Sequence, residues 1–178
     1  MKKTGILLLL FCLQSVVAQK HITRSGTTSF KASVAAFEPI EAINKSSSAI
    51  LTNDGNLAAL LLVKGFHFKV ALMQEHFNEN YMDSDTYPKA TFKGKLNSFS
   101  IDKLTSTSKF ILEGILTIKG ISKKITTDAF VVSKNGKIVF TTKFSVTPQE
   151  FGIKIPSIVR KKIAKNIHIS IHYEFIKN

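Results

Sequence analysis

The chain has 178 residues, a formal net charge of +13 at pH 7, a single cysteine and no tryptophan. That length suits one domain with a core of its own. One cysteine excludes an internal disulfide, and its place at Cys12 leaves residues 19–178 with no thiolate nucleophile and no Cys-based metal site.

Residues 1–18 have the layout of a secretory signal peptide. Lys2 and Lys3 precede an apolar run over 6–13, and Val16, Val17 and Ala18 offer small residues before a cut ahead of Gln19. The run falls far short of the roughly 20 residues that span a bilayer. Phe11 stands before Cys12 where lipid attachment requires a small residue. The expectation is therefore a cleaved leader, a periplasmic or secreted location, and one domain over 19–178. No Pro-, Ser- or Gly-rich linker and no 20–50-residue repeat divides it.

Apolar and polar residues then alternate with period two through most of the chain, the mark of half-buried strands. In 29–36 the inward set is Phe30, Ala32, Val34 and Ala36. In 89–96 it is Ala90, Phe92, Gly94 and Leu96. In 110–118 it is Phe110, Leu112, Gly114, Leu116 and Ile118. Ile138, Phe140, Thr142, Phe144 and Val146 share a face in 137–146, and Ile167, Ile169, Ile171, Tyr173 and Phe175 share one in 167–175. Asn135-Gly136 is a two-residue hairpin signal, and Asn53-Asp54-Gly55-Asn56 a similar turn. The run 57–68 is apolar on both faces, so its parity stays open, and Gly65 suggests a bulge.

Two segments break the alternation. Over 70–81, Val70, Met73, Phe77 and Tyr81 recur at spacings of three and four, which reads as an amphipathic helix. After Pro156, the segment 157–164 allows a second short helix capped by Ser157, with Ile158, Ile163 and Ala164 turned inward. The fold class that follows is mainly β: an antiparallel barrel of about eight strands, closed because a flat sheet of that size leaves its edges exposed. Such a barrel is filled by its side chains or encloses one small ligand.

Catalytic and metal constellations are poorly served. His168 and His172, four apart on a strand, sit about 13 Å apart by the strand rise. His76 has Glu75 beside it and Glu79 at i+3, and a His-Glu pair on one helical face supplies two ligands with no third at a suitable spacing. Asp83 and Asp85 form the one tight acidic pair, in a turn that does not desolvate them. No Gly-x-Ser-x-Gly elbow or phosphate loop is present. No catalytic residue, metal or cofactor is expected. The scattered lysines read as a solvated surface suited to anionic partners such as a membrane surface. Arginine occurs only at Arg24 and Arg160, and with no basic-aromatic cluster nucleic acid is not an expected partner.

Three stretches carry a family resemblance: "SDTYPKATFKG" (84–94), "LEGILTIKGISKKI" (112–125) and "FSVTPQEFGIKIP" (144–156). In that order they resemble the YceI-like family, from about Gly26 to the C-terminus. The resemblance implies a lipocalin-like barrel that binds a long polyisoprenoid chain in its interior. It is weakest at "HITRSGTTSF" (21–30), where family members open with a longer strand. On this reading the protein is a carrier of an apolar, isoprenoid-like lipid. The candidate lining is Phe30, Phe66, Phe68, Met73, Phe77, Phe92, Phe110, Leu112, Leu116, Phe140, Phe144, Ile169, Ile171 and Tyr173. Thr142 and the Tyr173 hydroxyl are candidates to orient a ligand, and helix 70–81 is a candidate lid. Gly94 and Gly114 either permit curvature or leave room for the chain. The alternative is an envelope interaction module with a filled barrel and no ligand.

Overall fold

The computed structural model describes residues 19–34, 37–104 and 106–178. The expected leader (1–18) and the inward position of Ala36 lie outside the described residues.

Nine strands form one antiparallel sheet: β1 (Lys20–Ser33), β2 (Glu41–Thr52), β3 (Asn56–Leu62), β4 (His67–Phe68), β5 (Lys89–Leu96), β6 (Ser108–Ile118), β7 (Ile121–Lys134), β8 (Lys137–Val146) and β9 (Ile163–Lys177). Their order is β1-β9-β8-β7-β6-β5-β3-β2, with β1 pairing back onto β2 and the short β4 added beside β2. Eight strands thus close into a barrel, and closure leaves none of those ladders with a free edge. The weak point of the resemblance disappears here, since β1 is 14 residues long.

Turn chemistry sets the register. Asn135 and Gly136 take φ of 52° and 74° between β7 and β8, and Lys119 and Gly120 take 47° and 74° between β6 and β7. Positive φ at both central residues is the type I′ geometry, whose twist matches the flanking strands. The Lys119-Gly120 hairpin was not anticipated, because Asn or Asp rather than Lys usually signals it. In β1 and β2 the period of two is broken by bulges. The β1–β2 register shifts on both sides of Gly26. His21 and Thr23 are buried before it, and Gly26 and Thr28 after it, so the inward parity changes from odd to even. The undecided run 57–68 resolves similarly. Leu57, Leu61 and Val63 point in, a 3₁₀ turn at Val63–Gly65 replaces the expected bulge, and Phe66 is buried beyond it.

The barrel is packed at one end. Leu51, Leu57, Leu96, Leu112, Ala129, Val131, Ile138 and Phe175 fill the half near the β2–β3 and β7–β8 turns. The loop after β5 closes that end with Phe99 and Leu104, both buried. The other end is spanned by α1 (Ala71–His76), which runs on as a π-helical turn over Phe77–Tyr81. This is the helix expected over 70–81, shortened by one residue. The second helix is corrected. Only a 3₁₀ turn forms at Ser157–Val159, no side chain caps it, and β9 has started by Ile163. Ile158 is 85% exposed rather than turned inward. Arg160, Lys161 and Lys162 follow, so beyond Val159 the segment has no apolar residue to continue a buried helical face before Ile163.

Gly94 and Gly114 face each other across β5 and β6. A Cβ on either would lie 2.5 Å from the Phe92 ring, and closer still to backbone in the case of Gly94. The room left by the two glycines is therefore taken by Phe92 and the close strand backbones. Curvature and packing explain the pair, and space for a ligand does not. Gly114→Ala should destabilise the barrel by about 1–3 kcal/mol, the usual cost of overpacking. Urea unfolding measures it, and an unchanged midpoint would show that the close approach is not rigid.

Candidate functional site

The inward rows do not meet above the packed half. They enclose an apolar cavity of about 350 Å³ that opens at the helix end. Burial shows the change along single strands. On β9, Phe175 and Tyr173 are buried, whereas Ile171, Ile169, Ile167 and Ile163 point inward yet keep partial exposure. On β8, Phe140 and Thr142 are buried and Phe144 and Val146 are not. These rows are register partners: Phe140 with Tyr173, Phe144 with Ile169, Val146 with Ile167.

Phe92, Leu112, Leu116, Phe140 and Tyr173 form the lower wall, and Phe144, Ile169 and Ile171 the wall above. At the mouth stand Phe30, Phe66, Phe68, Met73 and Phe77. Of the expected lining, Phe110 alone is elsewhere. It packs edge-on against Phe99, with centroids 5.2 Å apart, as part of the packed end. Its inward parity was right, but the loop bearing Phe99 covers it.

Aromatic packing holds the mouth together. Phe77 lies 5.4 Å from Phe30, 5.7 Å from Phe66 and 5.1 Å from Phe68, measured between ring centroids. These contacts fasten the helix to β1, β4 and the turn before β4. Two hydrogen bonds add to them: the Phe68 amide donates to Gln74 Oε1 at 3.3 Å and Lys119 Nζ to the Tyr81 carbonyl at 2.8 Å. Val70 sits at the N-cap of the helix with no side-chain bond, and none of the helical residues is fully buried. At the π turn the Met82 amide donates to the Phe77 carbonyl at 2.9 Å, five residues back. The turn thereby brings both Phe77 and Tyr81 onto the cavity.

Polar groups inside are mostly satisfied by each other. Thr28 Oγ1 lies 2.9 Å from Ser47 Oγ and 3.3 Å from the Tyr173 hydroxyl. Thr142 Oγ1 donates to the Asp128 carbonyl at 2.7 Å. Both candidate orienting groups are thus engaged in the wall, while still bordering the cavity. His76 and Lys162 bring basic character to the lining, both exposed to solvent. Elsewhere, the exposed turn that carries Asp83 and Asp85 ties Asp85 to Lys64 at 2.6 Å. His172 lies 3.8 Å from Glu174, and His168 shares a 2.8 Å contact with Ser145 on the outer face. Among the described residues, no group of three His, Cys, Asp or Glu side chains is placed to hold a metal.

The connection from β8 to β9 contributes lining that sequence reasoning missed: Phe151, Ile153, Ile155 and Val159. Thr147 and Glu150 form a capping box around the 3₁₀ turn Pro148–Phe151, and Gly152 ends it at φ 67°. Phe151 is thereby driven inward. The alternation of Ile153, Lys154 and Ile155 was the available signal.

The three stretches that carried the resemblance converge at the open end. Tyr87 from the first covers Gly120 of the second, 2.8 Å from where a Cβ would stand. Ile121 of the second lies 3.0 Å from the equivalent position on Gly152 of the third. Fold and cavity together define a closed antiparallel β-barrel with an apolar interior open at one end. The YceI-like domain family matches residues 15–175, and the chain belongs to that family.

Solved structures agree on the fold. A polyisoprenoid binding domain from Saccharophagus degradans implicated in plant cell wall breakdown superposes with a TM-score of 0.77 at 10% identity, over 90% of this chain and 99% of that one. BcnA of Burkholderia cenocepacia gives 0.69 at 18% identity, over 84% and 95%. A Campylobacter jejuni YceI protein gives 0.64 at 18% identity, over 80% and 86%. No curated protein matches the chain.

Two outcomes follow from these contacts. Phe77→Ala should cost about 2 kcal/mol, below the full loss for a buried phenylalanine because the ring is only partly buried. Hydrogen exchange at 71–81 should rise while the strands stay protected, and uniform acceleration would show that the helix is not a separate unit. The second concerns Tyr173. Burial raises its hydroxyl above the ordinary tyrosine value, against the opposing bonds to Thr28 and Ser47. An unfolded tyrosine ionises near pH 10, so this stability is complete below that pH and is lost as pH rises through the folded value. Tyr173→Phe should therefore shrink the fall in urea midpoint between about pH 9 and pH 11. Parallel falls in both proteins would count against it.

Proposed function

We propose that the protein is an exported carrier that sequesters an apolar chain, isoprenoid-like in character, inside its barrel. One observation carries this reading: the apolar cavity of about 350 Å³, walled by inward isoleucines and phenylalanines that remain partly exposed. Pockets for small ligands have this concave, mostly apolar form with a few polar groups. The relative from Saccharophagus degradans, a polyisoprenoid binding domain, supports the choice of chain. The leader-like residues 1–18 support export to the periplasm or beyond.

Sequestration needs no chemistry. Apolar surface leaves water at about 25 cal/mol per Å², so a chain burying on the order of 500 Å² gains roughly 12 kcal/mol before the costs of association and ordering. Thr28 and the Tyr173 hydroxyl, bonded to each other, and Thr142, bonded to the Asp128 carbonyl, present little uncompensated polarity to such a chain. Helix 71–81, fastened mainly by aromatic contacts and uncapped at its N-terminus, acts as the lid. The binding role is non-catalytic.

Organic extraction and native mass spectrometry of protein exported from cells should yield a long-chain lipid, with the polypeptide starting at Gln19. Uptake of a fluorescent lipid probe should fall at least tenfold in Ile169→Trp, which fills the cavity from its wall without touching the packed end. Undiminished uptake by that variant, or protein that never carries lipid, would sink the carrier reading.

A further inference from the structure

The lip formed by residues 153–165 differs from the rest of the surface in charge. From Phe151 to Tyr173 there is no Asp or Glu, while Lys154, Arg160, Lys161, Lys162 and Lys165 are all present. All five are exposed. Several lysines elsewhere pair with carboxylates, as Lys64 does with Asp85, Lys109 with Asp128 and Lys137 with Glu174. Among the described residues, none of these five has such a partner. In their midst Ile158 stands 85% exposed at the tip of the 3₁₀ turn. Its neighbours Ile155, Val159 and Lys162 line the cavity. The other lip, the helix, carries Glu75 and Glu79 on exposed positions.

We infer that the 153–165 lip docks the open end of the barrel on an anionic phospholipid bilayer, with Ile158 inserted and the five basic side chains on the head groups. An isolated exposed isoleucine needs no explanation. One ringed by unpaired cations and continuous with an apolar cavity has the make-up of an interfacial anchor. The bilayer's negative surface potential acts on each cation within about a Debye length, which at physiological salt is roughly 8 Å. Charge complementarity selects the basic lip over the helix lip. Docked this way, the side of the cavity mouth formed by Ile155 and Val159 lies against the bilayer surface, and the helix carrying Glu75 and Glu79 forms the other lip of the mouth. The inference rests on the carrier reading for its purpose, and not for its test.

The test is co-sedimentation with vesicles of phosphatidylcholine containing phosphatidylglycerol, against phosphatidylcholine alone. Wild type should bind the anionic vesicles and release at high salt. Each lost lip charge should weaken binding about fivefold, so Arg160→Gln/Lys161→Gln/Lys165→Gln should lose on the order of 100-fold. Ile158→Glu should weaken it further than charge alone explains. Lys103→Gln/Lys134→Gln/Lys177→Gln, with the same net charge change at the packed end, should bind like wild type. Equal losses in the two triple variants, or equal binding to neutral vesicles, would overturn the docking surface. Probe uptake in vesicle-free solution, run on the same variants, separates the two ideas. Intact uptake with no docking leaves the carrier standing alone, and docking without uptake does the reverse.

Discussion

Tyr173 against Gly26 is the contact on which the barrel turns. Closure brings β1 between β2 and β9, and at that seam the ring of Tyr173 occupies the space a side chain at position 26 would need, with a Cβ only 2.4 Å from its edge carbon. No residue but glycine fits. The bulges on either side of Gly26 switch the inward parity of β1, so the strand can present His21 and Thr23 to the packed end and Thr28 and Phe30 to the open one. The Tyr173 hydroxyl reaches Thr28, which reaches Ser47, so one short polar chain links β9, β1 and β2. Buried hydroxyls are tolerable because each finds a partner.

That seam is also the cavity floor. Below it the ring of Tyr173 packs with Phe140 and Phe175, both at centroid distances of 6.0 Å, and the interior is filled. Above it β8 and β9 continue with Phe144, Val146, Ile169 and Ile167, and no side chain reaches across. The barrel is therefore filled and hollow in series. The packed half supplies the hydrophobic burial that stabilises the fold. The hollow half is relieved of that duty, and its inward isoleucines keep apolar surface exposed to the cavity.

Much of this was legible in the sequence. Strict alternation gave the inward faces of β5, β6, β8 and β9, because single-sided burial imposes a period of two. Asn135-Gly136 gave its hairpin because few residue pairs accept two positive φ angles. The helix was visible in Val70, Met73, Phe77 and Tyr81. Parity stayed open over 57–68, where the turn at Val63–Gly65 interrupts the strand, and alternation could not be read across Gly26, where bulges switch the inward face. Phe110 shows a different limit. A face can be read from alternation, but what lies on that face depends on a loop from elsewhere, here the one bearing Phe99. Filled and hollow interiors also have the same alternation, so the cavity itself was beyond reach. Gly94 and Gly114 were open to curvature or to room for a ligand, and Phe92, two residues from one of them, decides for packing and curvature.

The distribution of restraint around the mouth separates two kinds of edge. Tyr87 on Gly120 and Ile121 on Gly152 lock the corners between β5, β6, β7 and β8 through contacts that a single added carbon would break. Such corners cannot move far without cost. The helix is held by Phe77 among three other rings, contacts that tolerate sliding because edge and stacked geometries of aromatic pairs are close in energy. No side chain caps its N-terminus, and at its C-terminus the long Lys119 side chain donates to the Tyr81 carbonyl, a bond that can follow a shift. A barrel with rigid corners and one softly held cover can open by displacing the cover alone, leaving the sheet register intact. That places the low-stability element where access is needed and keeps it out of the ladders on which closure depends.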